Sequence, residues 1–404
     1  MKIIKNNFIL SLILFTSLLF SQNDTNQNLD LLEITKPSLL STHPLGLLFT
    51  RLEGHFKTQP SKKTTIDFNI SSGNVWAPPV KAYIPNLNRD RDFVKQYQWH
   101  EREFVVDVDT LNAKTIEVQN DGVIKAFNFK LDIPINNKSS LAITLRSFLL
   151  TGGKSPFTIF TNDEFIEGFH DKIAGGEDPF DRKLYPFNKA RIKYKDRNDN
   201  VMDINRGDFI FSGIEASYYY YPEMKKLNKK NYYLNYGSHL GINTSKYNKS
   251  VDVGFSVNLI KSFEIKDLKK VNLGISVGGV YRKLIKFNSE PIDLGTNNNI
   301  GYIESIIEYK YLSKGGTTHA FGVDFYIQTS LNKKSEFDYV IPTKNGTSFK
   351  SWNSGVSNLY RNNNYWTLIY SFGKKNILKL YLQQDFTVNN QPDIQTGISY
   401  NIAL

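Results

Sequence analysis

From about residue 64 to the end of the chain, apolar and polar side chains alternate in one segment after another. In one of them Val251, Val253, Phe255, Val257 and Leu259 share a face, while Asp252, Gly254, Ser256 and Asn258 share the other. The next sets Val271, Leu273, Ile275 and Val277 against Asn272, Gly274, Ser276 and Gly278. A period of two marks a strand with one face in an apolar medium and the other against polar groups. Twelve such strands are predicted, near 64–72, 122–134, 139–149, 208–221, 232–242, 250–260, 269–281, 301–311, 319–331, 364–372, 376–386 and 393–404. Most exceed the soluble-strand norm of about 5 to 6 residues and match the roughly 9 to 11 that cross a bilayer at a tilt.

The connections carry a second signal. With the amino end placed in the periplasm, the inner turns are 135–138, 222–231, 261–268, 312–318 and Gly373 to Lys375. The outer connections are 73–121, 150–207, 243–249, 282–300, 332–363 and 387–392, and four of these six are long. Short turns on one side and long loops on the other are what a membrane barrel shows. The last strand keeps Ile394, Thr396, Ile398, Tyr400, Ile402 and Leu404 on one face to the final residue. The predicted fold is therefore all-β, a closed antiparallel transmembrane β-barrel of about 12 strands with long outer loops. A soluble β-sandwich is the competing architecture; it buries one face against a second sheet and uses shorter strands.

At the amino end, Lys2 and Lys5 precede a run without charge from Phe8 to Phe20, closed by Ser21-Gln22. That is the layout of an export signal. The run has thirteen residues, and a membrane-spanning helix needs about 20. The domain organisation expected is a signal peptide over 1–21, a periplasmic leader over 22–62 and a barrel over 63–404 carrying the large acidic insert 150–207. The location expected is the outer membrane of a Gram-negative bacterium. The absence of cysteine removes disulfides and thiolate metal sites from consideration. The net charge of +11 comes mostly from scattered lysines, and no basic stripe with interleaved aromatics marks a nucleic-acid groove. Outer-membrane lipid and lipopolysaccharide are the expected surroundings. Tyrosine and phenylalanine, 23 and 28 in number, suffice for interfacial girdles.

The densest candidate chemistry is FIEGFHDKIAGGEDPF, residues 165–180. Residues 161–181 hold seven carboxylates, Asp163, Glu164, Glu167, Asp171, Glu177, Asp178 and Asp181, against one lysine and one histidine. Glu164, Glu167 and His170 fall three apart, and Glu-x-x-His occurs in carboxylate-bridged metal sites; those need two copies on facing helices, and one is present. The expected role is an acidic loop folded into or over the lumen, narrowing it and favouring cations. Asp208, in Arg206-Gly207-Asp208, belongs to the same insert boundary. The lumen-facing set inferred from the alternation is Asp67, Asn69, Lys125, Lys130, Asp132, Arg146, Glu215, Asp252, Glu304, Glu308, Lys310, Asp324 and Gln328. With both signs present, cross-lumen pairing is the plainer reading of these residues. Ser238-His239 is the only adjacent serine-histidine pair, and neighbours on a strand point to opposite faces.

Glu167-Gly168-Phe169-His170, the GGEDPFDR element after it, Arg206-Gly207-Asp208, His43-Pro44-Leu45, and Asp385 with Pro392-Asp393 together resemble a family of bacterial outer-membrane β-barrels of uncharacterised role. The resemblance spans most of the mature chain and implies location and fold; it brings no activity with it. The chain lacks the Gly-Leu-Pro step after the histidine and ends on Leu404 where an aromatic residue is usual. The function expected is passive passage or binding of small solutes, with no catalytic residue, metal or cofactor. The competing readings are an outer-membrane lipid hydrolase and a structural or partner-binding barrel with a closed lumen.

Overall fold

The structure, a computed structural model, describes the chain from Leu32 onward, apart from positions 42, 86, 90–91, 93–112, 155–157, 159, 174–188, 267, 288–291, 337–340, 343–358 and 386–393. The expected signal peptide lies outside the described residues. Twelve strands close into a cylinder: β1 (Thr65–Pro85), β2 (Ala113–Asn136), β3 (Ser139–Thr151), β6 (Phe209–Tyr220), β7 (Tyr232–Ser245), β8 (Asn248–Lys266), β9 (Lys269–Lys286), β10 (Asn299–Leu312), β11 (Thr318–Gln328), β13 (Asn363–Gly373), β14 (Ile377–Asp385) and β15 (Ile394–Ala403). Each pairs antiparallel with its neighbours, and β1 joins both β2 and β15, with Thr65 opposite Ala403 and Asp132. No cylinder edge is left unpaired, the condition that lipid imposes on a sheet.

Three further strands were not legible in the alternation. A hairpin of β4 (Arg191–Lys195) and β5 (Val201–Asn205) hangs from the upper part of β2, and the two-residue β12 (Ile341–Pro342) pairs with the tip of β1. Much of the expected loop 73–121 is strand: β1 and β2 continue as a two-stranded ribbon to Pro85 and Ala113. Their register slips between Ala77 and Val80, where Pro78 and Pro79 offer no N–H to the ladder.

The two faces of the wall follow the sequence. Ile303, Ile307, Phe255, Val277, Phe321 and Val323 stand exposed on the outside, while Asp252, Ser256, Asn258, Glu304, Glu308 and Asp324 are fully covered within. An apolar belt of this extent on a monomer's exterior is a lipid-facing surface. Near the turn end it finishes in stacked rings: Tyr311 on His319 at 5.0 Å and Phe321 on Tyr370 at 4.7 Å. The connections at that end are short, such as Lys266 to Lys269 and Gly373 to Ile377, as on the side where the sequence pattern places the periplasmic turns.

Candidate functional site: a lumen filled by its own leader

The segment expected as a periplasmic leader lies, over its described residues, inside the barrel. Leu32 to Ser41 climbs from the short-turn end, a 3-10 turn at Gly46–Leu48 reverses direction, and residues 49–60 descend to the start of β1. The limbs touch through Ile34 N to Phe56 O at 3.1 Å and Arg51 Nη1 to Leu39 O at 2.6 Å. The physical reason is legible afterwards: Leu39, Leu40, Leu45, Leu48, Phe49, Leu52 and Phe56 are too apolar for a hydrated tether, and all are buried.

Without a neighbouring strand, the leader's backbone groups are satisfied by wall side chains. Thr35 N donates to Glu308 at 2.8 Å, Gly54 N to Glu304 at 2.6 Å, Arg51 N to Glu215 at 3.2 Å and His55 N to Asn258 at 3.0 Å. In the other direction Arg146 donates to Phe49 O at 2.7 Å, Asn248 to Leu48 O at 2.8 Å, Asn235 to His55 O at 2.9 Å and Tyr326 to Leu52 O at 3.1 Å. Strands from most of the circumference thus hold one short segment.

Several charges are paired in the same way. Lys36 of the leader pairs with Glu304, and Lys57 with Asp132 at 2.9 Å. Arg146 pairs with Glu215 at 2.7 Å, Lys310 with Glu308 at 3.3 Å and Lys379 with Asp67. Asp252 accepts from Asn243 at 2.7 Å and from Lys283 N at 2.8 Å. Asp324 is fully buried against the Glu304 carboxyl, and Lys36 and Glu53 are its other charged neighbours. Tyr302, Tyr326 and Tyr365, from β10, β11 and β13, stack at 5.5 and 4.9 Å, and the Arg51 guanidinium lies 4.8 Å above the Tyr326 ring. A desolvated contact of this kind contributes about 2 kcal/mol.

The outer mouth is closed by packing. Ile192 and Tyr194 of β4 and Met202 and Ile204 of β5 join Leu45, Leu48 and Phe49 of the leader, Phe148 and Ile210 of the wall, and Ile292, Leu294, Leu331 and Leu359 of the outer loops in one apolar cluster. Asp196 latches this lid: it accepts from Asn198 N and Asn200 N within its own turn and from Asp293 N at 2.8 Å across the mouth. Burial raises the Tyr194 hydroxyl far above its ordinary range, so that ring stays neutral. Arg191 donates to Asp203 at 2.8 Å along the hairpin's flank, and that hydrogen bonding holds the Asp203 carboxyl below its ordinary range.

The described start of the acidic insert, residues 160–173, docks on the outer face of the wall and not in the lumen. Its helix α1 (Asp163–Lys172) begins at Asn162, whose side chain caps Phe165 N at 2.7 Å. Asp163 accepts from Asn74 at 2.8 Å, and Thr161 meets Ser72 at 2.6 Å. Ser72 and Asn74 belong to the same face of β1 as the exposed Phe68 and Ile70, so this part of the insert straps the outside of the wall. Lys125 sits there too, donating to Ser72 at 2.7 Å. Its assignment to the lumen is corrected: register places it with Phe127 and Phe129, opposite in parity to Lys130 and Asp132. Glu164 and Asp171 are exposed, and Glu167 lies partly buried on α1. His170 is a helical position of α1, while Glu177 and Asp178 lie outside the described residues. Asp208 accepts from Asn205 N at 2.8 Å and caps the β5–β6 turn. Among the described residues no group of three metal-ligating side chains converges. His239 points into the lumen between the hydroxyls of Ser217 and Ser256, each at 2.8 Å, while Ser238 is exposed on the lipid side.

Fold and filled lumen together define a membrane β-barrel closed by its own amino-terminal segment. No family model and no curated relative matches the chain. Among solved structures it is similar to an outer membrane channel from Pseudomonas putida F1, at TM-score 0.38 and 9% identity over 86% of this chain and 98% of that one. It is also similar to the β domain of the Bordetella autotransporter BrkA, at 0.37 and 8% over 85% and 100%, and to the NanC porin, at 0.35 and 6% over 83% and 98%. These are likenesses of barrel architecture, and no activity is drawn from them.

Proposed function

We propose that this chain is an outer-membrane barrel for passive passage or binding of small solutes, held closed at rest by its leader. The observation that carries the reading is the leader itself: residues 32–60 occupy the lumen, tied to the wall by side chains of β3, β6, β7, β8, β10 and β11. Twelve strands at about 4.8 Å spacing and a tilt near 40° give a backbone radius of roughly 12 Å, room for a pore once a chain segment leaves. The test is conductance in planar bilayers. The mature chain is expected to be closed with rare openings, and deletion of residues 22–60 to give steady current. Equal conductance of the two would overturn the gating. A leader-deleted barrel that folds and carries no current would favour the structural reading, for which the charge-paired lumen speaks. Deleting 161–181 is expected to leave conductance unchanged, since Thr161 and Asp163 are docked on the outer face.

A further inference from the structure

The leader does not fill the lumen evenly. It leans on the tyrosine-bearing wall of β10 to β14, where Arg51 covers Tyr326 and Tyr365. The opposite wall presents small inward residues, Ala126, Ala142, Thr144, Ser212 and Ser217, and between them and the leader runs a cavity of about 1000 Å³. It reaches Leu312, Thr318 and Lys374 at the periplasmic turns and ends below Phe148, under the apolar lid cluster. It is a blind channel entered from the periplasmic end, at the upper limit of the usual size for small-molecule sites.

Its lining is unbalanced in charge. Nine lysines and two arginines face five carboxylates; Glu304, Glu308 and Asp324 buried behind the lining and the exposed Glu264 at its rim still leave the cations in excess. Lys130 is the key member. It stands between Asp132 and Asp67, but Asp132 is taken by Lys57 at 2.9 Å and Asp67 by Lys379. Asn128 and Thr144 flank Lys130 on the channel wall with neutral polar groups. A cation with its nearest carboxylates already engaged, at the side of a blind polar channel, is a receptor for an anion.

We propose that the channel binds small anionic solutes, carboxylates or phosphate esters of about hexose size, with Lys130 as the anchor of the anionic group. This rests on the solute-binding reading above and reverses the cation preference expected from the acidic insert. The test uses the mature, leader-intact chain in detergent and titration calorimetry at low salt with four probes of similar size: gluconate, glucose 6-phosphate, glucose and N-methylglucamine. One charge-assisted hydrogen bond corresponds to about tenfold in affinity. At least one anion is therefore expected to bind about tenfold more tightly than glucose, and N-methylglucamine no better than glucose; which anion wins separates carboxylate from phosphate ester. Lys130→Gln is expected to bring the anions to the level of glucose, and Lys130→Arg to retain the preference, with heat-modifiable gel mobility confirming that both variants fold. Anions binding no tighter than glucose, or a preference that survives Lys130→Gln, overturns the inference and leaves solute binding intact. Absence of binding by every probe overturns it as well; current through the leader-deleted barrel then decides whether the passage reading stands.

Discussion

Replacing Arg146 with alanine removes three contacts of one guanidinium: the bond to Phe49 O at 2.7 Å, the bond to Asn243 at 2.9 Å and the ion pair with Glu215 at 2.7 Å. Glu215 also accepts from Arg51 N, so two anchors of the descending leader limb loosen together. Removing one member of a buried pair costs about 3 to 5 kcal/mol, because its partner stays desolvated. Arg146 and Glu215 keep 12% and 14% of their side-chain surface exposed, which argues for the lower end. When the leader leaves, water reaches Glu215 and that cost disappears, so the closed state alone bears it. About 3 kcal/mol corresponds to a factor of roughly 100 in the closed-to-open ratio. The assay is single-channel recording in planar bilayers, comparing open fractions at one voltage. Arg146→Lys keeps the charge without the fork and should fall between wild type and alanine. An open fraction for Arg146→Ala within threefold of wild type, in a barrel that runs as folded, would refute the energetic link between this residue and the leader.

A Cβ added at Gly241 would sit 2.0 Å from Thr50 Oγ1 of the leader, and Thr50 is short and branched, so Gly241→Val should push the leader off the wall; the expected readout is faster protease cleavage within 32–60 while the barrel band persists. Phe49→Ala takes a fully buried ring out of the lid cluster at a cost of about 3 kcal/mol or more, and should raise the open fraction in the direction of Arg146→Ala. The lid hairpin has a pH dependence set by Asp203, whose folded carboxyl is depressed by its Arg191 hydrogen bond. Its contribution is complete above the ordinary carboxylate value near 3.9 and is lost as pH falls below that toward the folded value. Proteolysis at the 196–200 turn should therefore be flat from pH 7 to about 5 and rise only below about 4, and Asp203→Asn should abolish the rise. Finally, the exposed apolar belt requires detergent: the mature chain should aggregate when detergent is removed, and a monodisperse peak in plain buffer would count against a lipid-facing wall.

The wall was readable in the sequence because lipid imposes a rule on every residue of it. Val251 to Leu259 and Phe321 to Ile327 alternate because one face meets hydrocarbon and the other the lumen, and both became strands in the expected register of faces. Where lipid stops, so did legibility. Lys193 and Asp203 lie on strands of five residues, too short for a period to declare itself, and the β1–β2 ribbon beyond Gly73 includes prolines that usually argue against a strand. The leader was missed for a different reason. Three of its backbone partners, Glu304, Asn258 and Arg146, lie 97 to 250 positions away, and no local pattern encodes them. The available clue was the leucine and phenylalanine content of 39–56, excessive for a tether in water. The docking of Asp163 was not legible because the density of carboxylates does not say which face of β1 the chain meets; Asn74 decides that, by its parity with Phe68.

The reversal at Gly46–Leu48 brings both limbs of the leader back to one mouth, so the segment is a bight of rope and not a threaded line. To withdraw it, no strand of the cylinder has to part. A pull applied upstream of Leu32 would peel the contacts of the ascending limb one after another, beginning with Lys310, Glu308 and Glu304, before the Leu48 turn is drawn down. Resistance is therefore met serially, in small steps, and the same path leads back when the tension is released.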